Sequence, residues 1–303
     1  MNQDFYQELL NIISQEQVKL EEPMKNHTTF RVGGPAEFFA QPKTVREIQD
    51  IIGLCKEKEI PYYIVGNGSN LLVSDKGYRG MIIQIFKEMN RIETQGNVIK
   101  AQAGALLSAI ASRALEAGLA GFEFAAGIPG ALGGACVMNA GAYGGEMKDV
   151  LSEVTVLTPE GEVLVIPDEK LELGYRTSVI AKKGYIVLEA VIRLQKGDKD
   201  EIKARMDELK EKRVTKQPLE YPSAGSTFKR PEGYFAGKLI QDAGLQGFSV
   251  GGAQVSTKHC GFVINKENAT AADVAELMRQ VSEKVEEKFG VRLEPEVKRL
   301  GEF

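Results

Sequence analysis

The pattern of apolar and polar positions predicts a mixture of helices and short strands. Apolar residues at helical spacing predict five helices, which cover residues 4–17, a segment from Thr44, 106–117, 201–214 and a last segment from the capping pair Thr270 and Asp273. Short apolar runs predict strands at 62–65, 81–85, 91–95, 98–103 and 185–194, two β-like runs around a turn at 33–35, a hairpin over 150–166 and a closing strand over 291–300. Helices and strands do not alternate steadily, so the pattern indicates an α+β class.

One stretch, residues 121–145, does not fit ordinary core. Eight of its 25 residues are Gly, six are Ala, and none is Lys or Arg. Gly loses more entropy on ordering than other residues, so such a segment is kept where backbone must approach something closely or where φ is positive. It could be a packing seam or a flexible linker, but its Phe and Ile residues argue against a linker. We favour a backbone wall against a flat or anionic cofactor.

A second glycine-rich loop, GNGSN at 66–70, follows the predicted strand 62–65 directly. Its N–H groups and side-chain amides could bind a phosphate. It is not a dinucleotide-binding fingerprint, because Leu71 breaks the G-x-G-x-x-G pattern, and no Lys-Ser/Thr pair follows as in a P-loop. For this loop alone, a plain tight turn is an equally good interpretation.

Composition narrows the class of protein. A length of 303 residues favours two or three domains. The net charge of −4 gives no reason to expect nucleic acid, and no apolar window reaches the ~18 residues of a membrane span. The N-terminus lacks a signal-peptide pattern. Three scattered Cys and two His predict neither a disulfide framework nor a metal site, which favours a reducing cytoplasm.

Three short segments carry candidate chemistry. GYRTS places Arg176 in a turn, AGSTFKR places Ser226 after a Gly, and LEPEV places Glu296 in a predicted strand. In that strand Glu294 and Glu296 would share a face, and Arg176 could pair with one of them or hold an anionic substrate. Taken singly, each residue is better explained as an ordinary ion pair, turn residue or solvated carboxylate.

Six motifs in order change this assessment. They are HTTFRVGGPA, VGNGSNLLVSDKGYRG, AGIPGALGGACVMNAGAYGGE, LGYRTS, AGSTFKRP and LEPEVKRLG. Together they resemble the UDP-N-acetylenolpyruvoylglucosamine reductase (MurB) family of peptidoglycan synthesis, over about residues 26–301. The resemblance implies a vanillyl-alcohol-oxidase (PCMH-type) FAD-binding fold in two subdomains, 1–80 joined by the strand 291–303 and 81–197. It also implies an α+β domain at 198–290 that binds the UDP-sugar.

The resemblance implies non-covalent FAD and NADPH as reductant. The implied FAD-binding residues are Gly66, Asn67, Gly68, Ser69, Asn70, Gly127, Ile128, Pro129, Gly130, Gly133, Gly134, Asn139, Gly141 and Ala142. The implied substrate-binding residues, for UDP-N-acetylglucosamine enolpyruvate, are Tyr175, Arg213, Lys216, Lys229, Gln254, His259 and Asn265.

The implied chemistry has two halves. NADPH reduces FAD, and the flavin then gives hydride to C3 of the enolpyruvyl group, which loads negative charge onto the carboxylate. By resemblance Arg176 binds that carboxylate, Glu296 shares in stabilising the charge, and Ser226 delivers a proton to C2. For its role Glu296 would need a pKa raised by burial. A nearby cation such as Lys229 could assist Ser226.

Two departures and two alternatives remain. The chain lacks the insertion whose Tyr closes over the substrate in some members, and Arg230 stands where some members have Asn. The alternatives are a sugar or hydroxy-acid oxidase or dehydrogenase on the same flavin fold, and a nucleotide-sugar binding protein without activity. We expect a cytoplasmic monomer with neither nucleic acid nor membrane as partner.

Overall fold

The structure, a computed structural model, describes residues 2–303. The helices are α1 Gln3–Leu9, α2 Val45–Glu57, α3 Leu107–Glu116, α4 Leu132–Val137, α5 Val179–Lys183, α6 Lys199–Lys216, α7 Ala236–Asp242 and α8 Ala271–Phe289. The strands are β1 Val18–Pro23, β2 Pro35–Ala40, β3 Tyr62–Val65, β4 Leu71–Val73, β5 Tyr78–Gln84, β6 Ile92–Gln95, β7 Val98–Gln102, β8 Leu119–Ala120, β9 Gly141–Ala142, β10 Gly145–Glu146, β11 Leu151–Leu157, β12 Val163–Pro167, β13 Ile186–Arg193, β14 Gln195–Lys196, β15 Ser249–Val250, β16 Ala253–Val255, β17 Val263–Asn265 and β18 Lys298–Leu300.

The chain divides into two compact units. The first contains residues 1–19, 39–67 and 82–213, and the second contains 20–38, 68–81 and 214–303. A four-stranded sheet has the order β1-β2-β5-β3, and the division falls inside three of its strands. The three-part division expected from the sequence stays a prediction.

The first unit is built on a five-stranded sheet of order β12-β11-β13-β7-β6. Each pair is antiparallel, and β11 and β12 form the predicted hairpin with Val156 opposite Leu164. Two register shifts interrupt the pairing of β11 with β13. Helix α4, inside the glycine-rich stretch, packs against β13 and β7. The glycine-rich stretch therefore packs on this sheet through α4.

The second unit packs α8 against the antiparallel sheet β15-β16-β17. Helical spacing predicts an apolar stripe on α8, and its members Val274, Leu277, Met278, Val281 and Val285 are buried. The last predicted member, Phe289, is 37% exposed at the end of the helix, so the stripe is confirmed only to Val285. Its predicted start is confirmed, because Thr270 and Asp273 form a capping box. A parallel pair of β4 and β18 also belongs to this unit.

The α+β layout and most predicted elements are confirmed, with ends that differ by a few residues. The helix predicted over 4–17 is confirmed only to Leu9, where α1 ends, and β1 starts at Val18. Between them, the Ser14 hydroxyl donates to the Gln17 side chain and the Ser14 N–H donates there too, which builds a separate 3-10 turn over Gln15–Gln17. A Ser side chain that bonds locally competes with helical hydrogen bonds.

One predicted strand is also wrong, and the closing strand predicted over 291–300 is confirmed only as β18, Lys298–Leu300. The run before Gly33 is not extended, because Arg31 has a φ of 56° and the Thr28 hydroxyl donates to Val32 O. Residues 291–297 form only an isolated bridge, from Phe228 to Pro295, before β18 begins at Lys298. Pro295 has no N–H to continue a ladder.

No helix in residues 2–303 is long and apolar enough to span a membrane. Within the same residues, no cluster of three or more His, Cys, Asp and Glu side chains could hold a metal ion.

The start of α8 has a second anchor besides its capping box. The carboxylate of Asp75, in the loop after β4, accepts hydrogen bonds from Ala271 N at 2.8 Å and Ala272 N at 2.9 Å. These donors belong to the first turn of the helix, where N–H groups have no partner within the helix. A negative charge there also interacts favourably with the helix dipole.

We therefore expect Asp75→Ala to lower the free energy of unfolding by about 1–2 kcal/mol, measured by urea denaturation. The control is Glu302→Ala, which removes an exposed carboxylate 3.4 Å from Lys76 Nζ. Exposed pairs contribute little, so the control should cost about 0.5 kcal/mol or less. Equal losses in the two variants would contradict the anchoring role of Asp75.

Candidate active site

The two glycine-rich segments meet in the first unit. A Cβ built on Gly66 would lie 3.5 Å from the Cβ of Ala131, and Asn67 Nδ2 donates to Pro129 O at 2.9 Å. Gln84 Nε2 donates a hydrogen bond to Gly66 O at 3.2 Å. The start of the predicted phosphate loop, Gly66 and Asn67, therefore contacts the predicted cofactor wall at Pro129 and Ala131.

The second half of the GNGSN loop belongs to the second unit. Gly68 has a φ of 63°, and a Cβ on it would lie 1.9 Å from His27 O. Gly68 O accepts from Thr29 N at 3.2 Å, and Asn70 Nδ2 donates to Glu296 O at 3.2 Å. Ser69 lies half-buried between them. This half of the loop is fixed by two distant segments.

Within 127–134 the backbone donors are largely used by the protein itself. Ile128 N, Gly130 N and Gly133 N donate to Ala125 O, Ile128 O and Ala103 O at 2.8–3.0 Å. Pro129 has no N–H to offer. A Cβ on Gly134, by contrast, would meet nothing within 4 Å. These positions can therefore offer a flat, closely approachable surface more than a row of donors.

Residues 139–146 form a tight turn in the same unit. Gly141 and Ala142 make up β9 and pair with β10, and a Cβ on Gly141 would lie 2.7 Å from that of Glu146. Asn139 is buried with a φ of 44°, and its amide nitrogen donates to the Glu146 carboxylate at 2.6 Å and to Gly174 O at 3.1 Å. Asn139 thus links the glycine-rich stretch to the segment that carries Arg176.

Arg213, on α6, lies against this surface. Its guanidinium carbon is 5.4 Å from the centre of the Tyr143 ring, and a Cβ on Gly127 would lie 2.0 Å from its Nη1. Burial lowers the pKa of Arg213, which contact with Tyr143 partly offsets. No ion pair of the described chain includes Arg213. A buried guanidinium in this setting is suited to an anionic ligand.

Arg176 lies in a two-residue turn of the first unit. Gly174 and Thr177 exchange hydrogen bonds at 3.1 Å and 3.3 Å, with Tyr175 and Arg176 between them. Arg176 has a φ of 53°, a conformation that costs a residue with a Cβ about 1–2 kcal/mol. Its guanidinium carbon is 5.4 Å from the ring centre of the exposed Tyr175.

Ser226 and Glu296 are brought together in the second unit through Thr227. Thr227 is fully buried, its O accepts from Glu296 N at 2.8 Å, and its N donates to Gly261 O at 2.8 Å. Its hydroxyl accepts from Val263 N at 2.9 Å. Ser226, directly before this buried residue, is exposed.

The two carboxylates of LEPEV do not share an environment, so the predicted common face is wrong. Glu296 is buried, whereas the Glu294 side chain is 71% exposed and lies 3.0 Å from Lys229 Nζ. Lys229 therefore has an acidic partner of its own.

The other predicted substrate residues differ in how far the protein uses them. Lys216 ends α6 on the surface, and Gln254, on β16, donates to Ser249 Oγ at 3.0 Å. Asn265 donates to Phe30 O and accepts from Ala269 N, so both ends of its amide are engaged. These assignments stay predictions.

His259 is held as a neutral ring. Its Nδ1 accepts from Gly261 N at 3.0 Å, so the ring proton of the neutral form lies on Nε2. Its ring centre is 5.1 Å from that of Phe262. Burial lowers the pKa of His259 from its ordinary value of 6.5.

Two residues of the site were not singled out from the sequence. Tyr143 lies inside the motif NAGAYGG, but only the fold places it beside Arg213. The hydroxyl of Thr29, in HTTF, is buried and has no hydrogen-bond partner in residues 2–303. A buried polar group without a partner is costly unless a ligand satisfies it.

Two family models and many known proteins are similar to this chain. A family model described as the C-terminal domain of UDP-N-acetylenolpyruvoylglucosamine reductase matches residues 217–300, and an FAD binding domain model matches residues 36–166. UDP-N-acetylenolpyruvoylglucosamine reductase of Agathobacter rectalis is 57% identical over all of both chains. The chain belongs to the UDP-N-acetylenolpyruvoylglucosamine reductase family.

Solved structures agree with this membership. The reductase of this family from Thermus caldophilus is 38% identical, with a TM-score of 0.80 over 94% of this chain and 98% of that one. p-Cresol methylhydroxylase is 16% identical, with a TM-score of 0.50 over 64% of this chain and 43% of that one, and so resembles it in fold alone. The predicted FAD-binding fold with a C-terminal domain is confirmed, and FAD is the cofactor.

The residues present fit FAD. A Cβ on Gly134 would meet nothing within 4 Å, so the surface of the first unit leaves room for a flat group beside it. The Thr29 hydroxyl, next to the backbone N–H that bonds Gly68 O, offers an unused hydrogen-bonding group to a phosphate.

We expect Gly68→Ala to lower stability and FAD content together, because its Cβ would collide with His27 O. The control is Gly96→Ala, which has nearly the same φ, 61° against 63°, but whose Cβ would meet nothing within 4 Å. The control should cost about 1–2 kcal/mol, the effect of the φ alone. Gly68→Ala should cost at least about 2 kcal/mol more. Urea denaturation and the flavin absorbance per chain are the measurements.

Because burial lowers the pKa of His259, its neutral form contributes stability above the unfolded pKa of about 6.5 and loses it as pH falls. Protonation would also turn Nδ1 from acceptor to donor opposite Gly261 N. His259→Asn keeps an acceptor and cannot titrate. We expect its urea midpoint to fall less than that of the wild type between about pH 7.5 and about pH 5.5. The same fall in both proteins would contradict this.

Proposed function

We propose that this chain reduces UDP-N-acetylglucosamine enolpyruvate to UDP-N-acetylmuramate for peptidoglycan synthesis, with NADPH as the reductant. The observation that carries the proposal is the backbone hydrogen bond from Glu296 N to Thr227 O, which places the exposed Ser226 in a segment next to that of the buried Glu296, in a chain of this family. The proposed reaction first develops a carbanion-like charge and then protonates it. A hydroxyl and a carboxyl group on adjacent segments could supply the proton and stabilise the charge.

FAD is bound by residues 66–70, by the surface 127–134 and by the turn 139–142. When bound there, FAD would supply hydride transfer from NADPH to C3 of the enolpyruvyl group. Binding is non-covalent, because the only Cys in the glycine-rich stretch is buried and burial raises the pKa of the Cys136 thiol to about 12. A thiol without thiolate character is a poor nucleophile.

Arg176 binds the substrate carboxylate. Its fork of N–H groups matches both oxygens of a carboxylate and stabilises the negative charge that gathers there when hydride reaches C3. Glu296 bears the proton that bonds to the same developing charge. A buried carboxyl group is suited to this role, because burial disfavours its ionised form.

Ser226 delivers the proton to C2. Ser226 is exposed, and the hydrogen bonds of Thr227 hold the backbone that directly follows it. The neighbouring Lys229 shares its charge with Glu294 at 3.0 Å, so the help it gives Ser226 is that of a partly neutralised cation.

Arg213 and Lys216, on the last turns of α6, bind the anionic part of the UDP-sugar. Arg213 brings a buried charge and Lys216 an exposed one. Tyr175, Gln254, His259 and Asn265 complete the contacts with the sugar nucleotide. The protein works as a monomer in the cytoplasm.

The test begins with the visible spectrum of the purified protein. A yellow protein whose flavin stays in solution on acid precipitation, and whose NADPH oxidation depends on the enolpyruvyl sugar, is expected. Flavin left on the pellet would favour an oxidase of the same fold, and a colourless protein that oxidises no NADPH would favour a binding protein.

Ser226→Ala should lower the rate at which the enolpyruvyl sugar reoxidises the reduced flavin by about 10²–10⁴-fold, the usual contribution of a general acid. Reduction of the flavin by NADPH uses no proton from Ser226, so it should change far less. Stopped-flow absorbance measures the two half-reactions separately.

Ser112→Ala is the control, since it removes an exposed hydroxyl on α3 that donates to Ser108 O at 3.0 Å. It should leave the ratio of the two rates as in the wild type. If Ser226→Ala slowed both half-reactions equally, the proton-donor assignment would be wrong.

A further inference from the structure

The protein itself uses both hydrogen-bond donors of the Asn139 side chain, and its amide oxygen accepts one further bond. Nδ2 donates to the Glu146 carboxylate at 2.6 Å and to Gly174 O at 3.1 Å, and Oδ1 accepts from Lys148 N at 2.9 Å. The residue is 1% exposed. An amide has two N–H groups, and both are used here. Its side chain therefore has no donor left for a cofactor.

The partner that matters for chemistry is Gly174 O, because Gly174 begins the turn of Arg176. That turn holds Arg176 at a φ of 53°, which needs outside support to persist. Asn139 supplies support at one end. At the other end the Ser178 hydroxyl donates to Val137 O at 2.6 Å. The turn is thus fastened at both ends to residues 137–139 of the glycine-rich stretch.

We propose that Asn139 is a positioning residue for Arg176, holding the turn 174–177 so that the guanidinium is placed for the substrate carboxylate. The amide is itself oriented by Glu146, whose carboxylate also lies 2.5 Å from Lys148 Nζ. The role given to Arg176 rests on the proposed function, whereas the fastening of the turn does not.

The informative change is Asn139→Asp. Asp tolerates a positive φ nearly as well as Asn, so the backbone is not the variable. The new carboxylate still accepts from Lys148 N, but it loses the bond to Gly174 O and faces the Glu146 carboxylate.

Asn139→Asp should lower the ratio of the second half-reaction rate to the first by about 10–100-fold, the usual effect of a misplaced catalytic group. The loss should act through Arg176. In an Arg176→Ala background, Asn139→Asp should therefore cause no further fall in this ratio, as expected for coupled residues. A full additional loss in that background would overturn the proposal.

The double variant Asn139→Asp with Glu146→Gln separates positioning from stability. The amide that replaces the Glu146 carboxylate can donate to the carboxylate introduced by Asn139→Asp, so the repulsion is removed and the thermal midpoint should recover toward the wild type. The contact with Gly174 O stays lost, so the rate ratio should stay low. Recovery of both quantities together would show a structural role only and would overturn the proposal.

Trypsin provides a readout that needs no substrate, because it cleaves after Arg176. Loss of the Gly174 contact should raise cleavage of the bond between Arg176 and Thr177 by about tenfold in both the single and the double variant, the effect of losing one hydrogen bond. The control is Asn97→Asp, in which an amide loses its bond to Leu194 O; cleavage at Arg176 should match the wild type.

Faster cleavage together with a wild-type protein that does not reduce the enolpyruvyl sugar would contradict the proposed function and leave the positioning of the turn intact. Unchanged cleavage in both the single and the double variant would overturn the positioning itself.

Discussion

The structure depends on close contacts that exist only because certain residues have no side chain. Gly127 faces the Arg213 guanidinium, Gly141 faces Glu146, and Gly145 faces the Phe124 ring, each at a distance where a methyl group would not fit. Protein interiors are packed like crystals, so an added Cβ at these places must displace a neighbour. The stretch 121–145 has few side-chain atoms for this reason. The Arg213 guanidinium, the sheet and the turn of Arg176 can therefore all pack closely against its backbone.

In the second unit, one buried residue connects the segments that carry the candidate side chains. Thr227 uses its N–H, its carbonyl and its hydroxyl, and so joins segments that are far apart in the chain. The same bonds set Ser226 outward and place the Glu296 segment beside it. The exposed Ser226 and the buried Glu296, to which we assign proton delivery and charge stabilisation, are thereby arranged by a residue that is itself fully buried.

Much of this was predictable from the sequence, and the exceptions have physical causes. The capping pair Thr270 and Asp273 predicted the start of α8 because its bonds are local, and the order of six motifs pointed to the family. The strand expected around Glu296 failed at Pro295, which cannot donate to a ladder. The left-handed backbone of Arg176 could not be read from GYRTS, because its support comes from Asn139, 35 residues from Gly174 in the chain.

The conformation of Arg176 sets two demands against each other. The residue that best suits a φ of 53° is glycine, and the residue that best grips a carboxylate is arginine. No single residue type satisfies both, so under the role proposed for Arg176 the turn trades stability against activity. Selection for heat resistance alone would favour glycine at this position, at the expense of the substrate binding that we propose for Arg176.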